Sequence, residues 1–245
     1  NNMPCGIKWW LNTANKSLER MKAKGITYSA NPMAASGRPT YFIKTYWNQD
    51  TPFNNLCPQI NGSAAPTGCI ATAMAQIMKY YQYPATSKGT GIYSVTTYKD
   101  KNDKEGTTKW YKRELGHTYQ WTAMLSSYGI VSKDEDDAVA TLMADAGAAS
   151  QMNYQANSSG TIEWYAAKRF AENFRYDSLA INCLQRDFYT DEEWMEMVRK
   201  EMEAKQPVLY CGSDEIEGGH AFLLDGIQSD GKVHVNWGWG KSGDG

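Results

Sequence analysis

The chain has little net charge: 25 lysines and arginines stand against 27 aspartates and glutamates, a balance of −2 over 245 residues. Nucleic acid or a membrane surface as the main partner would select a basic face, so neither is expected. No apolar run approaches the roughly 18–20 residues that a membrane span needs. Cysteine is scarce and irregularly spaced. Cys5, Cys57, Cys69, Cys183 and Cys211 are odd in number, and there is no C-x-x-C pair or His-x-x-x-His. This excludes a disulfide framework, predicts no metal site and leaves at least one thiol free. No cofactor is expected. Histidine is scarcer still, with three residues in all. An initiator Met and a charged-then-apolar signal segment are also missing, so the chain reads as a processed product whose targeting address has been removed.

Aromatic residues are plentiful, with nine Trp and sixteen Tyr, which argues against disorder and for aromatic-lined grooves. At this length about 70–75% of the unfolded surface can be buried, so a core forms without metal or disulfides. Ile7, Trp10, Leu11, Ala14, Leu18 and Met21 recur at helical spacing and predict a first helix over Ile7–Lys24. The loop Tyr28–Thr40, rich in proline and small residues, is the best linker. The strongest helix opens at Pro66-Thr67-Gly68-Cys69, with Ile70, Ala73, Met74, Ile77, Met78 and Tyr81 on one face before Pro84. A hairpin is predicted around Gly91–Tyr98 and the Lys101–Gly106 turn, and helices over Asp134–Ala146, Ile162–Phe174 and after Thr190. Pro207–Cys211, Ala221–Ile227 and Lys232–Trp237 read as successive strands. Helices first and an antiparallel sheet later predict an α+β fold in two segregated lobes.

Cys69 stands out among the thiols. It opens the strongest helix behind a glycine, where unpaired N–H groups and the positive dipole end favour a thiolate and could hold an oxyanion. A buried cysteine at the start of a core helix is the structural alternative. His220, in Gly218-Gly219-His220-Ala221-Phe222 at a strand entrance, is the candidate base, against a plain surface histidine. His234, mid-strand, reads as a polar sheet-face residue, and nothing near His117 suggests a role. Asn236, on the next strand, would lie beside His220 if the two strands pair, and Trp237 would screen that bond from water. The run Asn236-Trp237-Gly238-Trp239-Gly240 could equally be a packing corner. Free Cys, then His, then Asn is the order of a papain-like thiol protease.

Ala65–Tyr80 around Gly68-Cys69, Gly218-Gly219-His220-Ala221-Phe222 and His234-Val235-Asn236-Trp237-Gly238-Trp239-Gly240 resemble the streptopain family of papain-like bacterial cysteine proteases, and within it the interpain-type enzymes of oral Bacteroidetes such as Prevotella. Trp47-Asn48-Gln49 and Leu142–Gly147 match as well. The resemblance implies a papain-like fold, with the nucleophile helix in one lobe and His and Asn in the sheet lobe. It implies Cys69 as nucleophile, His220 as base and then acid, Asn236 as orienter under Trp237, and Gln49 as an oxyanion-hole side chain. Ser158, Ser159, Gly160, Thr161 and Gly219 fall where family members line the substrate cleft. It further implies a secreted endopeptidase acting on protein or peptide substrates, made as a zymogen with its own pro-segment as inhibitor. Residues 1–36 would then be pro-segment tail and activation linker, and 37–245 the catalytic domain, with the final strand region cut short. A Cys-His-Asn acyltransferase and an inactive papain-like binding module are the competing functions.

Overall fold

The computed structural model describes residues 41–214 and 218–244. The predicted helix Ile7–Lys24, the loop Tyr28–Thr40 and the boundary between 36 and 37 lie outside the described residues. Among the described residues the chain begins irregularly and then forms a short ribbon, β1 (Gln59–Ile60) and β2 (Ser63–Ala64). Helix α1 (Cys69–Tyr81), the hairpin β3 (Thr90–Thr97) and β4 (Thr107–Glu114), and helix α2 (Lys133–Ala149) follow. Next come β5 (Asn153–Tyr154), β6 (Ser159–Gly160), α3 (Glu163–Phe174) and α4 (Asp191–Glu203). Strands β7 (Val208–Asp214), β8 (Gly218–Ile227) and β9 (Val233–Asn236) close the chain.

Helix α1 is the centre of the molecule. Every residue from Ile70 to Met78 is buried, because α2, α3 and β8 cover it on separate sides. Alanines at 71, 73 and 75 allow that close approach, and Met74 and Met78 fill the remaining space without any exposure. Truncating either to alanine costs about 2–5 kcal/mol by the usual core scale. The helix ends where Gln82 turns left-handed at φ 47°, two residues before Pro84. Helix α2 starts with a full capping box, Ser132 and Glu135 bonding each other's backbone N–H. Its Asp145 is completely buried and accepts from Arg113 Nε at 2.7 Å, Tyr119 Oη at 2.8 Å and Ser87 Oγ at 3.2 Å. His117 Nδ1 joins them at 2.9 Å, so this histidine belongs to the ion cluster that ties α2 to β4 and the following loop.

Two larger sheets flank the helices. One runs β4-β3-β5-β6, with β3 and β5 parallel and the other pairs antiparallel. The other is the antiparallel β7-β8-β9. Along β8, Ala221 and Leu223 enter the main core, while Phe222 and Leu224 point to a second core with Val198 and Met202 of α4. A strand that is apolar on both faces needs a layer on each. The α4 stripe Trp194, Val198, Met202 supplies the outer one. The division predicted from the sequence, helices first and sheet later, is therefore mixed in detail: a four-stranded sheet sits in the first part, and α4 belongs with the last sheet.

Candidate active site

The site is built around the start of α1. Gly68, its N-cap, sits at φ 88°, a left-handed value that side chains disfavour. A β-carbon there would lie 2.5 Å from Met152 Sδ and 3.2 Å from the Ser159 carbonyl, so only glycine lets β6 pass this close to the helix start. On the other side the Thr67 N–H donates to the Gln49 carbonyl at 3.1 Å. Gln49, Cys69 and Ser159 are thereby gathered around one turn of chain. The Gln49 side chain has no hydrogen bond to any described residue.

The backbone N–H groups of Ala221, of Ile70 and of Cys69 itself each act to lower the Cys69 thiol. Two of these donors are orphan N–H groups of the helix start, and the third comes from β8, one residue beyond His220. Burial raises the thiol above its ordinary value and outweighs the lowering by those N–H groups. His220 Nε2 donates to the Trp237 carbonyl at 3.0 Å. A carbonyl only accepts, so Nε2 carries a proton, and in the neutral ring Nδ1 holds the lone pair. Burial lowers the imidazole's value, against the Trp237 carbonyl, which favours the charged form. The ring lies 4.7 Å from Trp239 and 6.1 Å from Trp237, which stack on each other at 5.5 Å and 13°.

Asn236 is placed differently from the sequence reading. The register sets it opposite Leu223, three residues along from His220 and therefore on the other face of the sheet. It is 3% exposed and fully engaged. Its Nδ2 donates to the Thr45 carbonyl at 3.0 Å and to Gln76 Oε1 at 3.1 Å. Its Oδ1 accepts from Gln76 Nε2 and from the Gly238 N–H, both at 3.1 Å. Two donors and two acceptor sites exhaust a carboxamide, so none is left for an imidazole. The backbone of Trp237 takes the orienting position, and among the described residues Trp239 is the indole nearest the ring.

The cleft residues divide. Ser159 and Gly160 form the edge next to Gly68, with open space beyond the Gly160 α-carbon, and the exposed Gly219 adjoins His220. Ser158 is exposed beside them, and its carbonyl accepts from the Gln155 N–H at 2.9 Å. Thr161 instead anchors the wall, its Oγ1 donating to the Ser150 carbonyl at 2.5 Å. His234 is 6% exposed, stacked under Tyr41 at 4.3 Å, with Nδ1 2.5 Å from Asp225 Oδ1. It is a buried pair rather than a free sheet-face residue. The other described cysteines are also free thiols. Burial pushes Cys57 up to about 11 and Cys211 to about 12.

The Peptidase C10 family matches residues 47–245. The thiol protease/hemagglutinin PrtT of Porphyromonas gingivalis is 36% identical over 201 residues, 81% of this chain and 22% of that protein. Streptopain of Streptococcus pyogenes is 34% identical over 211 residues, 82% of this chain and 52% of that protein. The chain thus spans about a fifth and about half of these relatives' lengths. A prointerpain A fragment from Prevotella intermedia superposes with a TM-score of 0.81 at 30% identity, over 100% of this chain and 77% of that one. Active wild-type interpain A, a cysteine protease from the same organism, does so at 0.73 and 34%, over 84% of each chain.

Proposed function

The chain belongs to the Peptidase C10 family, and from that premise we propose that it is a cysteine endopeptidase with Cys69 as nucleophile and His220 as base. One observation carries the reading: Cys69 opens α1 where Gly68 meets the β6 edge, while the His220 imidazole is fixed through Nε2 on the Trp237 carbonyl, which leaves Nδ1 outside that bond. When a peptide enters, Nδ1 takes the thiol proton, and the resulting thiolate, paired with imidazolium, attacks the scissile carbonyl carbon. The carbonyl oxygen becomes an oxyanion held by the Cys69 N–H and the Gln49 side chain. Collapse breaks the C–N bond, and Nδ1 passes its proton to the departing amine, leaving a thioester on Cys69. Water, deprotonated by the same nitrogen, attacks the thioester and returns the thiol with a free carboxylic acid. Throughout, the Trp237 carbonyl keeps the ring in one orientation and stabilises its charged form.

The substrates are proteins or peptides, and they lie along Ser159, Gly160 and Gly219. The likeness to a prointerpain supports a zymogen whose pro-segment tail reaches residue 36 and inhibits until removed, with residues from 37 forming the catalytic domain. Among the described residues no helix is long and apolar enough to cross a membrane. On the peptidase reading the enzyme is secreted. Cys69→Ala tests the function: peptide hydrolysis falls to background while the fold is kept, and activity within tenfold of wild type would refute it.

A further inference from the structure

Resting on the peptidase reading, we propose that Asp244 is a positioning residue that sets the Trp237 carbonyl and, through it, the His220 ring. Strand β9 ends at Asn236, so Trp237 is the first residue past the ladder. Its N–H donates to Asp244 Oδ1 at 3.0 Å. The next N–H, that of Gly238, shares a peptide group with the Trp237 carbonyl and donates to Asn236 Oδ1 at 3.1 Å. Side-chain oxygens thus hold the peptide planes on both sides of the Trp237 α-carbon. With both planes held, neither soft dihedral of Trp237 is free, and its carbonyl has one direction. That direction meets His220 Nε2 at 3.0 Å.

The two anchors differ in what stands behind them. Asn236 lies in the ladder opposite Leu223 and is bonded to Gln76 of α1. Gly238 rests on the same helix, where a β-carbon would lie 3.2 Å from Thr72 Cγ2. Strand and helix therefore back that end of the turn. Asp244 instead returns to Trp237 from seven residues along the chain. The intervening loop is guided by the Gly240 N–H, which donates to the Trp47 carbonyl at 3.1 Å, and by Lys241 Nζ, 5.0 Å from the Tyr46 ring. The half-buried Asp244 then closes the loop onto its first residue. Burial pushes its carboxyl up to about 6, with the Trp237 N–H and His234 acting the other way and Asp225 adding to the rise. An ionised acceptor binds an N–H more strongly than a neutral one, so this anchor is the firmer while Asp244 is charged. The competing role is closure of the loop for stability alone. That role predicts no change at His220.

Two substitutions test this: Asp244→Leu keeps the volume and removes the acceptor, and Asp244→Asn keeps an oxygen for the N–H. Both are read in the full chain, by kcat and KM per titrated active site and by proton NMR of histidine-labelled enzyme. The spectra are taken above the ordinary imidazole value of 6.5, with His220→Ala identifying the His220 signal. The wild-type enzyme should show a downfield Nε2–H resonance for His220, the mark of its bond to the carbonyl. Asp244→Leu should lose that resonance to solvent exchange and lower kcat about tenfold with KM little changed, as a slightly misplaced base does. Asp244→Asn should recover most of both. If the leucine variant does not fold, Asp244→Ala is read in its place. A kcat within about twofold of wild type, or an unmoved His220 resonance, overturns the assignment and leaves the peptidase reading intact. Equal losses in the leucine and asparagine variants overturn it too, since charge and not the hold on Trp237 would then be at work. Absence of any cleavage by the wild-type enzyme overturns the peptidase reading, and the spectra then decide by themselves whether Asp244 sets the ring.

Discussion

His220 is oriented by the backbone of Trp237, its Nε2 donating to the Trp237 carbonyl at 3.0 Å, and not by a side-chain amide. A main-chain acceptor cannot be deleted by substitution. The orienting group survives every side-chain change at 237, provided the loop keeps its path. That path is fixed partly by Asn236, which accepts from the Gly238 N–H and is locked to Gln76 of α1.

Asn236→Ala should therefore act on stability more than on chemistry. It strips partners from Gln76, the Thr45 carbonyl and the Gly238 N–H, all buried. Unsatisfied buried groups cost about 1–3 kcal/mol each, partly relieved by water in the new space, so a loss of about 2–4 kcal/mol is expected. Denaturant unfolding measures it. The kcat per titrated active site should stay within a few fold of wild type. A drop of a hundredfold at unchanged stability would restore Asn236 as the orienter.

The pH profile follows from two opposite shifts. Burial holds His220 below the ordinary imidazole value of 6.5 and Cys69 above the ordinary thiol value of 9.0. The acid limb of kcat/KM should lie below 6.5 and the alkaline limb above 9.0. The folded chain binds the His220 proton more weakly than the unfolded chain does. Its contribution to stability is thus full above 6.5 and lost as pH falls through the lower, folded value. Trp239→Ala uncovers the ring and should move the acid limb up toward 6.5, as pH–rate profiles of the two enzymes would record.

Gln49→Ala should lower kcat by roughly 10²–10³ with KM changed much less, the usual cost of one oxyanion donor. Gln49 makes no side-chain bond within the described fold, so its loss leaves nothing else unpaired. Steady-state kinetics check the split, and an unchanged kcat would leave the Cys69 N–H to hold the oxyanion without it.

His234→Ala should leave activity per titrated site close to wild type but lower stability by about 3–5 kcal/mol, because the completely buried Asp225 loses its partner. Thermal unfolding and active-site titration together separate the two effects. A loss of activity like that of His220→Ala would mean that the base has been misassigned.

What the sequence revealed depended on local signals. The α1 stripe from Ile70 to Tyr81 and the Thr190–Glu193 capping box announce their helices, and the structure has them at Cys69–Tyr81 and Asp191–Glu203. Strands β5 and β6 have two residues each, too few for any period, so the wall beside Gly68 was legible only through resemblance. The place of Asn236 was hidden by register. Counting back from the Asp230-Gly231 turn puts Trp237 opposite Leu223. The irregularity between Leu224 and Gly226 shifts the ladder by one and brings Asn236 there instead. The same extra residue, Asp225, buries a carboxylate that accepts from the Ile43 N–H at 3.2 Å and holds His234. A backbone carbonyl as orienter leaves no mark on residue identity, and so Trp237 could be read from the sequence only as a shield.

The most direct test of Cys69 as the nucleophile is to label the active enzyme with a peptidyl thiol-reactive affinity reagent and map the adduct by mass spectrometry. The prediction is one label per enzyme, on Cys69, accumulating in step with the loss of peptidase activity and slowed strongly in His220→Ala. Complete inactivation with Cys69 unmodified, or with the label on Cys183 or Cys211, would contradict the account.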